Sequence, residues 1–243
     1  MEATVRHVSG SAQTRNRLLS ELPNDELATL LGSAEKVQLR PRQILHHWRL
    51  PLDYVYFIER GLVSVSARVD NDQFIEAWLV GSEGLVGSPL VLGEEPPPHR
   101  RVVQVGGEAL RVPARTFLTL LPKLPVTHRL LLRSVQVVLF QAAQFGACNA
   151  AHTVKERLAR WLLVARYCLN SDELPITHEI LSQLLAVRRA TVTECVEILQ
   201  QGAVIHTERG LIKVIDPEAL RGSSCSCYDL VHREYQRRTW PAC

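Results

Sequence analysis

Residues 176–216 read ITHEILSQLLAVRRATVTECVEILQQGAVIHTERGLIKVID. Thr177 is a good N-cap, and Ile180, Leu181, Leu184 and Leu185 share one side of a helix predicted over Glu179 to Leu185. A tight turn follows at Ala186-Val187. A second helix, Arg188 to Gln200, turns Val192, Val196 and Leu199 inward and leaves Arg188, Arg189, Thr191 and Glu194 on its open side. Gly202 is expected just past its end, as the C′ residue. Val204-Ile205-His206 and Leu211 to Ile215 then flank a Glu208-Arg209-Gly210 turn, the pattern of a hairpin. Two helices about a short turn, followed by a hairpin, make a winged helix-turn-helix. The second helix of such a unit fits the major groove of DNA.

The residue types suit that use. Arg188 and Arg189 stand at the helix end that reaches bases, and an arginine bridging guanine O6 and N7 is worth about 1–3 kcal/mol of discrimination. Arg209 and Lys213 in the wing suit phosphates, as do Thr177, His178 and the backbone amides where the first helix starts. Bulk charge gives little support. Residues 153–221 carry nine basic and nine acidic side chains, and the whole chain has a net charge of +3 and a pI near 8.6. Binding must therefore rest on where the arginines are placed.

Upstream, Thr153-Val154-Lys155-Glu156 is a capping box opening a helix that buries Val154, Leu158, Trp161, Leu162 and Ala165 and fades at Asn170-Ser171. A short break before it, after Asn149, reads as a hinge. Earlier still, Leu131, Val135, Val138, Ala142 and Phe145 step by 4, 3, 4 and 3, a heptad seam expected to meet the same helix of a second chain. Leu132, Val137, Leu139 and Phe140 make the helix apolar nearly all round, so it needs partners on more than one side.

Between about 35 and 112 the pattern is of short strands: Val37–Leu39, Tyr54–Ile58, Leu62–Val65, Phe74–Trp78 and Val102–Val105. Arg60-Gly61, Asp70-Asn71-Asp72, Gly81-Ser82 and Gly106-Gly107 read as turns between them, giving a β-barrel or sandwich. Glu94 to His99, with three prolines, reads as a stiff exposed loop. Asn24 is the expected N-cap of a short helix carrying Leu27, Leu30 and Leu31, and residues 1–13 read as a loose tail. The expected class is α+β: a β-roll over 15–125, a dimerisation helix and hinge over 126–152, the winged helix-turn-helix over 153–221, and a tail over 222–243. In that tail Tyr228, Val231 and Tyr235 suggest a helix packed on the DNA-binding domain.

At 243 residues, with 46% hydrophobic and 22% charged residues, the chain is long enough for a large core and too apolar for disorder. No apolar run suggests a membrane span or a signal peptide, so a cytoplasmic protein without membrane association is expected. Five of the six cysteines are Cys148, Cys168, Cys195, Cys225 and Cys227, and the sixth, Cys243, ends the chain. The first three sit in apolar helical patterns and read as small buried hydrophobes. Cys225-Ser226-Cys227, with His232 nearby, is the only close pair. Zinc sites usually show two spaced pairs, so no metal is expected. No nucleophile elbow, phosphate-binding glycine loop or zinc-protease helix is present, which argues against an enzyme.

A β-roll, a long helix, a hinge and a winged helix-turn-helix, in that order, resemble the CRP/FNR family of bacterial transcription regulators. Three segments carry the resemblance: Tyr56 to Val65, the glycine-spaced Gly81 to Gly87, and Ile176 to Glu179 through Arg189 to Val192. It implies a homodimer on a two-fold-symmetric operator, working with RNA polymerase. Departures from the family pattern imply more. Where cyclic-AMP-binding members place a ribose-holding Glu after a glycine, this chain has Ser88-Pro89 after Gly87. Arg100-Arg101 is the nearest match to their phosphate-binding Arg pair, and Ala142 and Ala143 replace two hydroxyl residues that face adenine. A pocket with those losses should bind cyclic AMP poorly. The absence of cysteine before Cys148 argues against an iron–sulfur sensor. Haem at His46-His47 is not expected either, so no cofactor is expected, an unidentified small ligand aside. In the recognition helix Arg189 matches the family arginine, while Ala190 and Glu194 depart from it. A different operator is implied, with Glu194 able to accept from cytosine N4. The rival reading is a small-molecule-binding regulatory module that acts through protein contacts and never reads DNA.

Overall fold

A computed structural model describes residues 6–7, 14–69, 73–93 and 96–239. The turn read at Asp70-Asn71-Asp72, the start of the proline loop at Glu94-Glu95, and Cys243 lie outside the described residues. Two 15-residue strands, β4 (Tyr54–Arg68) and β7 (His99–Pro113), form the spine of the N-terminal domain and pair antiparallel along their length. Shorter strands pair with opposite halves of this spine. β2 (Glu35–Leu39) and β3 (Ile44–His46) flank β7, while β5 (Phe74–Val80) and β6 (Leu85–Val86) flank β4. β1 (Arg6–His7) pairs with β2, within the segment that the sequence reads as a patternless tail.

Gly61 and Gly106-Gly107 do not end strands as their sequence suggests. The register between β4 and β7 slips between Ile58 and Val63, and the glycines let both backbones pass through this bulge in contact. Gly61 takes φ +106°. A Cβ on Gly107 would lie 2.1 Å from the Arg60 carbonyl oxygen, and one on Gly61 2.7 Å from that of Val105.

One core of the roll joins Phe57, Leu110, Val112 and, from α3 (Ala114–Leu120), Phe117 to Leu18, Leu19 and Leu30. Leu30 lies on α1 (Asn24–Leu31), whose cap position is taken by Pro23, so Asn24 is the first helical residue and does not cap. Glu26 of α1 starts the long helix α4 (Pro125–Ala151). It accepts from the amides of Val126 (3.0 Å) and Thr127 (2.7 Å) and from the Thr127 hydroxyl (2.6 Å). Burial opposes its charge, but these hydrogen bonds win and hold the carboxyl below its ordinary value.

The heptad seam of α4 faces the chain's own interior. Leu131 and Val135 are buried against the roll, Phe145 is buried in the C-terminal core, and Val138 and Ala142 pack on the inner cluster around Val63 and Trp78. Of the side chains expected at a dimer contact, Leu131, Val135 and Phe145 are thus buried within one chain, and Val138 and Ala142 are half-buried. Their heptad period reflects a helix lying along a sheet, which selects the same spacing as a helix lying along a helix. Length and composition alone would let α4 span a membrane, contrary to the sequence expectation; within the chain, this helix instead lays one side along the roll.

After the extended residues His152 and Thr153, α5 (Val154–Leu169) begins at the expected capping box. Thr153 N–H donates to Glu156 Oε2 (2.9 Å), and Glu156 N–H donates to Thr153 Oγ1 (3.4 Å). α5 is the spine of the second domain and also touches the first. The Trp161 indole N–H donates to Glu76 Oε1 of β5 (2.8 Å), while Glu76 Oε2 is buried without a partner among the described residues. Burial raises the Glu76 carboxyl to about 8, against smaller opposing effects of Trp161 and the Arg160 charge. The folded protein therefore holds a proton that the unfolded chain releases at its ordinary carboxyl value. This contribution to stability is complete below about 4.5 and is lost as pH rises through about 8. Glu76→Gln should melt like wild type near pH 4.5 and at higher temperature than wild type near pH 9. Equal melting of the two proteins at both pH values would refute the assignment.

The second domain completes itself with α6 (His178–Leu185), α7 (Arg189–Gln201) and a three-stranded sheet. Its strands are β8 (Glu173–Leu174), β9 (Ile205–Glu208) and β10 (Leu211–Val214), in the order β8-β10-β9. β8 is too short to give a sequence signal. Gly202 stays at φ −76°, and the left-handed residue past α7 is Ala203 at φ 54°. After α8 (Pro217–Ser223), helix α9 (Cys227–Thr239) packs on the second domain, as expected, where Tyr235 and His232 meet Tyr167 of α5, and chiefly along α4. There the Tyr235 hydroxyl donates to Gln141 Oε1 (2.7 Å).

Candidate nucleic-acid interface

Local sequence builds the helix-turn-helix unit. Thr177 caps α6 by accepting from the Ile180 amide (3.3 Å). The turn is made by Ala186 at φ 54°, with the Val187 amide donating to the Ser182 carbonyl (3.0 Å). Arg157 of α5 reaches the end of α6 and donates to the Leu185 carbonyl (2.7 Å), satisfying a helix-end acceptor. Sequence reading missed this arginine, because nothing in its local pattern marks the distant acceptor. Leu181, Leu184, Leu185, Val192, Val196 and Leu199 are buried together, which fixes α7 against α6.

The outer face follows from that packing. Arg188, Arg189 and Glu194 are exposed, and Thr191 is half-buried. Arg188 sits in the cap position of α7 with extended backbone, and Arg189 is the first helical residue. His178 Nδ1 lies 3.1 Å from Thr193 Oγ1, which ties the start of α6 to α7. Burial, then the Arg189 charge, lowers the His178 pKa. A cleft of ≈ 430 Å³ between the helices and the wing brings Thr177, His178, Arg189 and Arg209 together. The fourth cation of the expected set is engaged elsewhere. Lys213 Nζ lies 3.4 Å from Glu173 Oε1, because β8 runs beside β10 and sets the glutamate opposite the lysine. The result is a helix end with two exposed guanidinium groups, beside a cleft that Thr177, His178, Arg189 and Arg209 share with the carboxylates of Glu179 and Glu208.

The residues expected around an effector do not converge. Ser88 starts α2 (Ser88–Val91) after Gly87, which takes φ +134°, and it lines a cavity with Trp78, Glu83, Ser134, Val138 and Tyr235. That cavity holds ≈ 20 Å³, room for about one water. Arg101 is fully buried in the roll and donates to the His99 carbonyl (2.8 Å). Arg100, one residue earlier on the strand, points the other way and stacks on Phe74 at 3.7 Å, in a cleft shared with Val187 and Arg188. Ala142 is half-buried against the roll, and Ala143 is exposed on the opposite flank of α4.

A β-roll, a long connecting helix and an exposed winged helix-turn-helix define a DNA-binding transcription regulator, not an enzyme. Similarity to known proteins makes this specific. The sequence matches the Crp-like helix-turn-helix domain over residues 156–222 and the cyclic nucleotide-binding domain over 36–123. The chain belongs to the CRP/FNR family of transcription regulators. No curated protein matches it by sequence. Its fold is shared with FixK2 from Bradyrhizobium japonicum (TM-score 0.65, 14% identity, covering 79% of this chain and 98% of that one). A putative transcriptional regulator of the family from Eubacterium rectale is similar (0.63, 14%, 84% and 96%). So is a family regulator from Thermus thermophilus (0.60, 20%, 78% and 97%).

Proposed function

We propose that the protein acts as a homodimer on a two-fold-symmetric operator, through a face of α4 different from its heptad seam. The carrying observation is a second stripe on that helix. Leu132, Gln136, Leu139, Ala143 and Gly146 recur at steps of 4, 3, 4 and 3, all are exposed, and none is charged. Leu139 is 62% exposed. An uncharged stripe at this spacing, on a helix whose other side is already covered, suits the same stripe of a second copy. Ala143 and Gly146 would let the two helices come close. Such a dimer carries two α7 helices, each leading with Arg188 and Arg189, to successive major grooves about 34 Å apart.

The β-roll in this reading is a scaffold that does not answer to cyclic AMP. The small cavity, Ser88 in place of a ribose acceptor, and Ala143 turned away from the roll all support that. Family membership supports a contact with RNA polymerase and a place in the cytoplasm, where the DNA is.

Leu139→Arg tests the dimer. Wild type should sediment as a dimer. The variant should raise the dimer dissociation constant about thirtyfold or more, the effect of about 2 kcal/mol at a central interface position. Operator affinity should fall with it. A variant that sediments as wild type does would remove this face from the interface.

A further inference from the structure

Two pairs of metal-binding side chains, 73 residues apart at their nearest members, meet at the hinge. Cys148 lies in the last turn of α4, and His152 is that helix's C-cap. Cys225 and Cys227 flank the start of α9. Their ligand atoms all lie within 4.8 Å of one another. Cys148 Sγ and Cys225 Sγ are 3.3 Å apart, and Cys227 Sγ is 3.8 Å from His152 Nδ1. The three cysteines are buried and form a cluster of their own, outside the three larger cores. We propose that Cys148, His152, Cys225 and Cys227 bind a single zinc(II) ion that fastens the C-terminal segment to the hinge.

The spacing favours one ion. Zinc–sulfur bonds of about 2.3 Å in a tetrahedron put neighbouring ligand atoms roughly 3.8 Å apart, within the range set by the 3.3 Å Cys148–Cys225 pair, the 3.8 Å Cys227–His152 pair and the 4.8 Å limit of the whole set. A multi-iron cluster spreads its cysteines over several metal atoms and would need a wider cage. Three thiolates with one imidazole is a usual structural zinc set, and soft sulfur ligands disfavour magnesium or calcium. The surroundings supply what such a site needs. Gln144 Nε2 donates to Cys227 Sγ (3.2 Å), a hydrogen bond that supports a thiolate ligand. Binding releases three thiol protons to solvent and leaves the centre with one net negative charge.

A counter-charge is in place. Arg160 of α5 is 4% exposed, and its Nε and Nη1 have no partner among the described residues. Its guanidinium stacks on Phe145 at 4.0 Å, and its Nη2 reaches Oδ1 of Asn149, the residue after Cys148 (3.4 Å). A buried cation without an anion is costly, and an anionic zinc–thiolate centre beside it removes the cost.

His232, the histidine that sequence proximity offered, takes no part. It stacks on Tyr228 and hydrogen-bonds Gln236. The four ligands also bracket the DNA-binding module. The matched helix-turn-helix region, 156–222, lies wholly between the two pairs. One ion would therefore tie the chain where it enters that module and where it leaves it, and would fix the module's seat on α4.

The test uses full-length protein carrying no histidine tag, purified under reducing conditions, with metal measured by mass spectrometry. About one zinc per chain is expected. Cys225→Ser with Cys227→Ser should abolish it, while Cys168→Ala with Cys195→Ala, buried cysteines outside the cluster, should retain it. Should the first variant fail to fold, metal-stripped wild type titrated with cobalt(II) gives a second reading. One equivalent should bring the intense visible bands of a tetrahedral thiolate site and raise the melting temperature. Substoichiometric metal with no cobalt spectrum, metal kept after loss of Cys225 and Cys227, or a Cys148–Cys225 disulfide in its place would each overturn the proposal. None of these readouts involves DNA, so their failure is distinct from failure of the operator-binding reading.

Discussion

Gly107→Ala should destabilise the protein by about 3–5 kcal/mol and lower its melting temperature by roughly 10 °C. The new methyl carbon would stand 2.1 Å from the Arg60 carbonyl oxygen, 2.4 Å from its carbon and 2.8 Å from the Gly61 nitrogen. All three are backbone atoms, so no side chain can swing aside. Relief requires β4 and β7 to part by more than an ångström at the centre of the spine. That would strain the ladder on both sides of the bulge and the packing of Ile58, Val63, Val103 and Ala109, all fully buried. Gly222→Ala is the control. A Cβ there meets nothing within 4 Å, and the residue lies in α8, where alanine is the better helix former by up to about 1 kcal/mol. Thermal melts followed by circular dichroism separate the two. A Gly107→Ala protein that melts within about 2 °C of wild type would mean that the strands do not touch there.

The same glycines show where sequence is ambiguous. A Gly-Gly pair between β-branched runs carries one signal for a turn and for a bulge, because both need the missing Cβ. The choice depends on whether another backbone crosses there, and only β2 and β4 together settle that. The caps of α5 and α6 carry no such ambiguity, whereas Asn24 offers a capping side chain that α1 leaves unused behind Pro23. Thr153, Glu156 and Thr177 satisfy amides three residues away, so the local sequence contains the whole interaction. The boundaries of α5 and α6 were accordingly legible.

The heptad seam lay between these cases. Its residues are buried or half-buried, as the period requires, but the period does not name the partner. Leu131 and Val135 meet the roll, while the stripe around Leu139 is free. Lys213 and the cysteine cluster were illegible for a different reason. Each depends on a partner brought near by the fold: Glu173 through the unsignalled strand β8, and Cys148 with His152 through the packing of α9 on α4. Spacing along the chain gave half of the cluster and suggested the wrong histidine.

The exposed end of α7 gives the largest functional effect. Arg189→Ala should remove one bidentate guanine contact per half-site, about 1–3 kcal/mol each. With two half-sites the operator affinity should fall by about 2–6 kcal/mol, roughly thirtyfold to twenty-thousandfold. Affinity for random duplex should change little, since base contacts specify and phosphate contacts position. Arg209→Ala provides the contrast. Arg209 stands in the wing turn, exposed, on the far side of the cleft from Arg189. Its loss should weaken operator and random DNA alike and reduce the salt dependence by about one phosphate contact per chain. The competing position is Arg188, which has extended backbone at the cap of α7 and lines the cleft beside Phe74 and Arg100. Arg188→Ala should therefore cost less specificity than Arg189→Ala. Binding to operator and to random duplex, measured at two salt concentrations, resolves all three. If Arg189→Ala left the ratio of the two affinities unchanged, α7 would not be the element that reads sequence. The module would then hold DNA only through its backbone.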